Sequence, residues 1–233
     1  MIDIHCHILP GVDDGAKDMD MAVAMARIAV DDGIRTIVAT PHLGNYWKVY
    51  ADIVRTKAAL LQAELDRLGI DLRIRCGNEL VLENAAFVEE TLRNERCCFL
   101  GDNSAFLLLE EPWAGFSPDT WDVLETLRAR GTTAVLAHPE RHAFFREEPS
   151  LLDRMIETGV VWTQVSVDSL LGNNGPDAKA FAARLVDRGQ VHTLATDAHN
   201  VARKPILALG FDAVAARAGA AAADAIRERM AAI

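Results

Sequence analysis

His5 and His7 stand one residue apart at the end of a short apolar run, IDIHCHILPGVDDG over residues 2–15, just ahead of a Pro-Gly break and the pair Asp13 and Asp14. On a strand, residues two apart project to the same side, so the two imidazoles point together while Ile4 and Cys6 turn away. Such a pair can chelate a metal ion. Comparable donors recur downstream: TPH ends at His42, GNE at Glu79 and an apolar run at Glu110, while AHPERH carries His138 and Arg141 and ATDAH carries Asp197 and His199. Singly, each has an ordinary explanation: a histidine after a strand often serves a loop, and Glu79 or Asp197 could cap a helix. Jointly, five of the seven histidines and three carboxylates sit at strand ends, which calls for one common cause.

The elements that position these groups follow a repeated grammar. An amphipathic stretch, a glycine and a β-rich run recur at Gly33, Gly69, Gly131, Gly159 and Gly189. A glycine just past a helix end takes the left-handed conformation cheaply. Apolar spacing gives helices before Gly33 (Met21, Met25, Ile28) and Gly69 (Val54, Ala58, Leu61, Leu65, Leu68). Ser117-Pro118-Asp119 reads as an N-cap, a first-turn proline and an acid, opening a helix that turns Trp121, Leu124 and Leu127 inward. Further helices are expected near 84–94, 149–158, 176–188 and 204–217, with a short Ala-rich one closing the chain. Strands are expected near 2–6, 35–40, 72–77, 105–110, 133–138, 161–166 and 191–196, mostly apolar throughout, as in a parallel sheet covered on both faces. Seven strands separated by helices make an α/β fold, open or closed. In a closed barrel the carboxyl ends converge on one face, where loops build the active site.

Composition narrows the function. At 233 residues and half hydrophobic, residues 1–233 are read as a single domain. A net charge of -10 argues against a nucleic-acid surface. No apolar run reaches the ~18 residues of a membrane span, and no export signal precedes the first strand, so membrane insertion is not expected and a cytoplasmic protein is. Cys6, Cys76, Cys97 and Cys98 form no C-x-x-C pair and are read as reduced thiols. A thiol-based tyrosine phosphatase needs arginine six positions after its cysteine; here those positions hold Val12, Leu82, Asn103 and Ser104, which excludes that class.

Mixed imidazoles and carboxylates suit Mn, Fe or Zn. Eight or nine donors, counting Asp13 or Asp14, exceed the three or four of one tetrahedral zinc, so two or three ions bridged by a carboxylate such as Glu79 fit better. Such a cluster clamps a phosphoryl group and activates water for in-line attack on phosphorus. Arg141 is placed to grip phosphate oxygens, a surface ion pair with a nearby acid being the alternative. His142 reads first as a loop residue that could also touch a ligand, and His192 as a packed or surface imidazole inside a strand.

The series HCHILPGVDDG, ATPH, GNEL, AHPERH and TDAHN resembles the polymerase and histidinol phosphatase (PHP) superfamily, from Ile2 to about Asn200. DDG and HPER narrow it to the bacterial manganese-dependent protein-tyrosine phosphatases of capsule and exopolysaccharide operons, the CpsB and YwqE type. That resemblance implies a distorted (β/α)7 TIM-like barrel with three metals, Mn2+ first and Fe or Zn as alternatives. By position, His5, His7, Glu79 and Asp197 would hold one ion, Glu79, Glu110 and His138 a second, and Asp14, His42 and His199 a third. Arg141 would bind the phosphate, with Arg203 in a second phosphate-binding role for which Lys204 competes. The implied partner is the phosphotyrosine-bearing tail of a bacterial tyrosine kinase that controls polysaccharide assembly, and a homo-oligomer is possible. QVSVDSLLG after the sixth strand departs from relatives, which tend to carry an Asn and small residues there. The alternatives are a histidinol-phosphate or other small phosphomonoester phosphatase, a metal-dependent amidohydrolase, and a non-catalytic binding or assembly module of a polysaccharide system.

Overall fold

The apolar runs pair in chain order as parallel strands, and their helices cover them. In a computed structural model that describes all 233 residues, the strands are β1 (Ile2–Cys6), β2 (Thr36–Ala39), β3 (His42–Leu43), β4 (Arg73–Cys76), β5 (Glu79–Val81), β6 (Phe106–Glu110), β7 (Thr133–Ala137), β8 (Val161–Ser166) and β9 (Thr193–Ala195). Two ladders form, in the orders β1-β2-β4 and β3-β5-β6-β7-β8-β9. The expected strands over 35–40 and 72–77 end early and resume after a break, as β3 and β5. Pro41 interrupts the first because it has no N–H for the ladder. Asn78 fills both breaks: its amide donates to the Pro41 and Val49 carbonyls and its oxygen accepts from Cys98 N.

Counting β2 with β3 and β4 with β5, the strands make seven staves. The last returns to the first, with Asp197 N donating to His5 O and His7 N to Ala198 O, both at 2.9 Å. Asp3 reinforces that seam by accepting from Thr196 N at 3.0 Å and Thr196 Oγ1 at 2.5 Å. The carboxyl ends of all seven staves therefore face one side.

The helices are α1 (Met19–Asp31), α2 (Ala51–Arg67), α3 (Ala85–Arg93), α4 (Thr120–Ala129), α5 (Ala143–Glu147), α6 (Pro149–Glu157), α7 (Val167–Leu171), α8 (Pro176–Asp187), α9 (Ala208–Ala218) and α10 (Ala220–Ala231). All five grammar glycines adopt positive φ. The apolar spacing before Gly33 and Gly69 falls on α1 and α2, and α3, α6 and α8 end within about one residue of the expected 84–94, 149–158 and 176–188, the usual fraying of helix ends; α5 and α7, one turn each, are too short to show a period.

Two helix starts differ from expectation. Ser117 Oγ accepts from Asp119 N at 3.2 Å, the bond expected of it, but α4 becomes regular only at Thr120, whose N and Oγ1 both donate to Ser117 O, so Ser117-Pro118-Asp119 forms a lead-in turn. The Asp119 carboxylate accepts from Ala85 N at the start of α3. Helix α9 begins at Ala208 rather than near Lys204, because Asp32 at the end of α1 accepts from Leu207 N and Ala208 N. The closing helix is twelve residues long rather than short.

His192 lies just ahead of β9, where its Nδ1 accepts from Thr163 N at 3.1 Å. Burial first, then the charge of Arg229, lowers its pKa to about 4, so the fold holds it neutral. Because the folded pKa lies below the unfolded one, the unfolded chain takes up the proton first as pH falls. Stability is therefore complete above about 6.5 and is lost between there and about 4. For a partly exposed group the contribution at pH 5 is discounted to about 1 kcal/mol. His192→Asn, whose Oδ1 can replace Nδ1 as acceptor, is expected to flatten the pH 7 to pH 5 stability loss by that amount in urea titrations; an unchanged slope would contradict it.

Candidate metal centre

At the carboxyl end of β1, alternation turns His5 and His7 inward, both fully buried. Each ring is fixed through Nδ1: His5 lies 2.8 Å from Gln164 Oε1 on β8, and His7 lies 2.7 Å from Asp13 Oδ2. An imidazole whose Nδ1–H donates to an oxygen presents Nε2 as a lone pair. His199 follows the same rule, with Nδ1 2.9 Å from Asp197 O.

The segment after His7 folds straight back, Ala16 N donating to His7 O. Gly15 is required there, since a Cβ would fall 2.1 Å from that carbonyl oxygen. This turn fixes different roles for the two aspartates. Asp13 orients, accepting from His7, from His42 N and from Gly15 N. Asp14 points outward, 54% exposed, with Oδ1 3.5 Å from His42 Nε2 and 3.6 Å from His199 Nε2.

Glu79 is the centre of the cluster. Its Oε2 lies 3.3 Å from His5 Nε2, 3.3 Å from His7 Nε2 and 2.9 Å from His42 Nδ1, and its Oε1 lies 3.0 Å from His138 Nε2. Glu110 reaches within 3.6 Å of His138, and Asp197 within 3.4 Å of His5. All nine donors expected from the sequence thus come together, each within 3.6 Å of another. His138 and Asp197 enter with left-handed φ of 29° and 50°, uncommon for non-glycine residues and concentrated at functional sites.

The donor set fits divalent cations. Nε2 of His5 and Nε2 of His7 are 3.1 Å apart, yet both Nδ1 atoms already have acceptors. Two lone pairs at that distance repel unless a cation lies against both. Glu79 Oε2, fully buried, has no hydrogen-bond donor, although a lone buried carboxylate oxygen is costly.

The charges agree. Burial opposes ionisation of Glu79, but the imidazoles of His5 and His42 outweigh it and hold the carboxyl well below its ordinary range. Glu110 goes the other way: burial first, then the charges of Glu79 and Asp197, push it well above. Burial lowers His199 to about 3, keeping its ring neutral as a ligand requires.

Two arginines close the site. Arg141 Nη1 donates to Asp197 Oδ2 at 2.6 Å, and Arg203 Nη2 donates to the same oxygen. Of the two residues competing for the second basic role, Arg203 is the one in contact with the cluster, while Lys204 is exposed. Cys6 lies beneath, its thiol against Ala198 O and raised well above the ordinary range by burial and then by Asp3.

Gln164 and Trp113 escaped the sequence reading, and His142 was read first as a loop residue. Gln164 left a signal, an amide side chain in a buried strand at the head of the divergent QVSVDSLLG segment. His142 is no open loop residue. It is buried, both ring nitrogens lack partners, and its ring packs 4.5 Å from Trp113. Burial, then His138 and Arg141, lower it to about 3. Trp113 stands 56% exposed with the Arg141 guanidinium 5.1 Å from its ring centre; nothing in the local pattern marks it.

Parallel staves in a ring, with a buried histidine-carboxylate cluster and two arginines at their carboxyl ends, define a barrel of the metal-dependent hydrolase class. The chain belongs to the capsular polysaccharide synthesis CpsB/CapC family, whose model matches residues 1–232. Tyrosine-protein phosphatase YwqE of Bacillus subtilis (strain 168) is 41% identical over 202 residues, covering 86% of this chain and 78% of that protein. A putative tyrosine-protein phosphatase, CapC of Staphylococcus aureus, is 30% identical over 212 residues, covering 89% and 80%. A crystal structure from a study of YwqE from Bacillus subtilis and CpsB from Streptococcus pneumoniae, described as unique metal-dependent tyrosine phosphatases, superposes with a TM-score of 0.93 at 36% identity, covering 98% of this chain and 92% of that one.

Proposed function

We propose that residues 1–233 act as one metal-dependent phosphatase unit that hydrolyses phosphotyrosine. The observation that carries this reading is Glu79 Oε2, buried among three imidazole nitrogens with no donor of its own. His5, His7, Glu79 and Asp197 would hold one ion, Glu79, Glu110 and His138 a second, and Asp14, His42 and His199 a third. Mn2+ is the metal that the family resemblance implies; imidazoles and carboxylates without a thiolate suit Mn, Fe or Zn. Divalent ions held there supply Lewis-acid charge and lower the pKa of water.

The chain's own residues do the rest. Gln164 and Asp13 lock the ring orientations of His5 and His7. Asp197 holds both guanidinium groups at the site before substrate arrives, and a phosphate would take over their N–H donors with better fork geometry. The buried floor excludes bulk water and strengthens each of these interactions.

The relatives' names favour phosphotyrosine over histidinol phosphate, and the family's link to capsule synthesis favours a tyrosine-phosphorylated protein of that machinery as substrate. No helix is long and apolar enough to cross a membrane, in keeping with a cytoplasmic role beside the kinase tail.

Purified protein should release phosphate from p-nitrophenyl phosphate and a phosphotyrosine peptide in Mn2+. It should lose at least about 100-fold of that rate in EDTA and keep it after thiol alkylation, with histidinol phosphate turned over more slowly. Full activity after complete metal removal would sink the proposal.

A further inference from the structure

We infer that the aromatic ring of the substrate lies in a cleft walled by Trp113, Tyr46 and Trp47, and that Trp113 sets a preference for aryl over alkyl phosphate monoesters. This rests on the phosphatase reading above and adds the part of the site that selects the leaving group.

The cleft has a volume of about 290 Å³, and two of the cluster residues, His42 and Glu110, open onto it. Its walls are aromatic and face water: Tyr46 is 85% and Trp113 56% exposed. Exposed aromatics at a polar rim are unusual unless something covers them.

Both walls are held in place. Residues 43–48 form a tight turn, with Gly44 N donating to Trp47 O at 2.7 Å and Asn45 N to Glu83 Oε1 at 2.6 Å. Gly44 is pressed so close that a Cβ would meet Glu83 Oε1 at 2.8 Å. Tyr46 and Trp47 pack edge to face, 5.0 Å apart. Across the cleft, Trp113 lies against the neutral His142 ring, 4.5 Å away at 27°. The segment carrying it is tied down by buried Glu111, which binds Thr120 Oγ1 and Ser117 N.

Position decides which cleft takes the ring. Trp113 also borders a second cleft, of about 300 Å³, but that one presents Arg141, Arg146, Asn174 and Asp177 and is polar. A phosphate held between the cluster and Arg141 sits beside Trp113 on either side. Its apolar substituent then falls into the aromatic cleft, where a flat ring stacks on the indole, and flanking polar groups meet the other.

The test compares wild type with Trp113→Ala, Trp113→Phe and Tyr46→Ala in Mn2+, using a phosphotyrosine peptide, the matching phosphoserine peptide and p-nitrophenyl phosphate. Trp113→Ala is expected to raise KM for both aryl substrates by about five-fold, the size of one aromatic contact, and to raise KM for phosphoserine by clearly less, since that substrate loses only the support that the indole gives Arg141. Trp113→Phe should restore most of the aryl KM. Calorimetric titration with a non-hydrolysable phosphonate analogue of the phosphotyrosine peptide should weaken in parallel, while methylphosphonate binding weakens clearly less. Equal losses on aryl and alkyl substrates, or unchanged aryl KM in both alanine variants, would overturn the assignment and leave the phosphatase reading intact. Wild-type protein inert towards every phosphomonoester would overturn the phosphatase reading, and this assignment with it.

Discussion

Glu79→Gln is expected to lower kcat by about 10³-fold or more, because several kcal/mol of transition-state charge stabilisation would depend on the cations that we propose this carboxylate helps to hold. Glutamine keeps the shape of Glu79 but removes a charge that faces four imidazoles within 3.3 Å. The expected metal content of the purified variant, read by atomic emission, falls by at least one ion per chain. The stability readout separates this from misfolding. In EDTA the variant should melt no lower than wild type, since the amide N–H can donate to the imidazole lone pairs around it. Wild type should then gain more from added Mn2+, because metal bound only by the folded state stabilises it by mass action. A variant that retains full metal content and turnover would show that Glu79 does not bridge.

Arg141→Ala should cost about 10²- to 10³-fold in kcat/KM, the usual range for removing one donor aimed at developing charge. Arg141→Lys should recover only part of it, because a point ammonium cannot offer the planar fork. Both are expected to keep their metals, which distinguishes phosphate binding from metal holding. There is a cross-effect to measure as well. Arg141 and Arg203 share Asp197 Oδ2, so the double alanine variant should lose less than the product of the two single losses. Strict additivity would mean that the arginines act on separate groups.

Much of the site was legible before any fold was known, since the donors fall at strand ends and strands are visible as apolar runs after glycines. His5 and His7 share a face simply because a strand alternates. His42, Glu79, Glu110, His138, Asp197 and His199 each close a β-rich run. The helices α1 and α2 were legible for a similar reason, their apolar spacing being local and long enough to repeat. Less legible was a boundary decided by a partner distant in sequence. The helix expected from about Lys204 starts only at Ala208, where Asp32, 175 residues before Leu207, supplies its cap.

The sequence by itself determined an α/β chain, a metal-donor set without thiolates, Arg141 as a candidate phosphate-binding arginine and the exclusion of a cysteine nucleophile, because each depends on residue type and short spacing. Only the tertiary structure decided that Asp13 orients while Asp14 faces His42 and His199, that Arg203 rather than Lys204 meets Asp197, and that Trp113 stands over Arg141. These depend on which loops the closing ring brings side by side. Closure is set by hydrogen bonds between β1 and the segment after β9, nearly 200 residues apart, and no local pattern encodes that meeting.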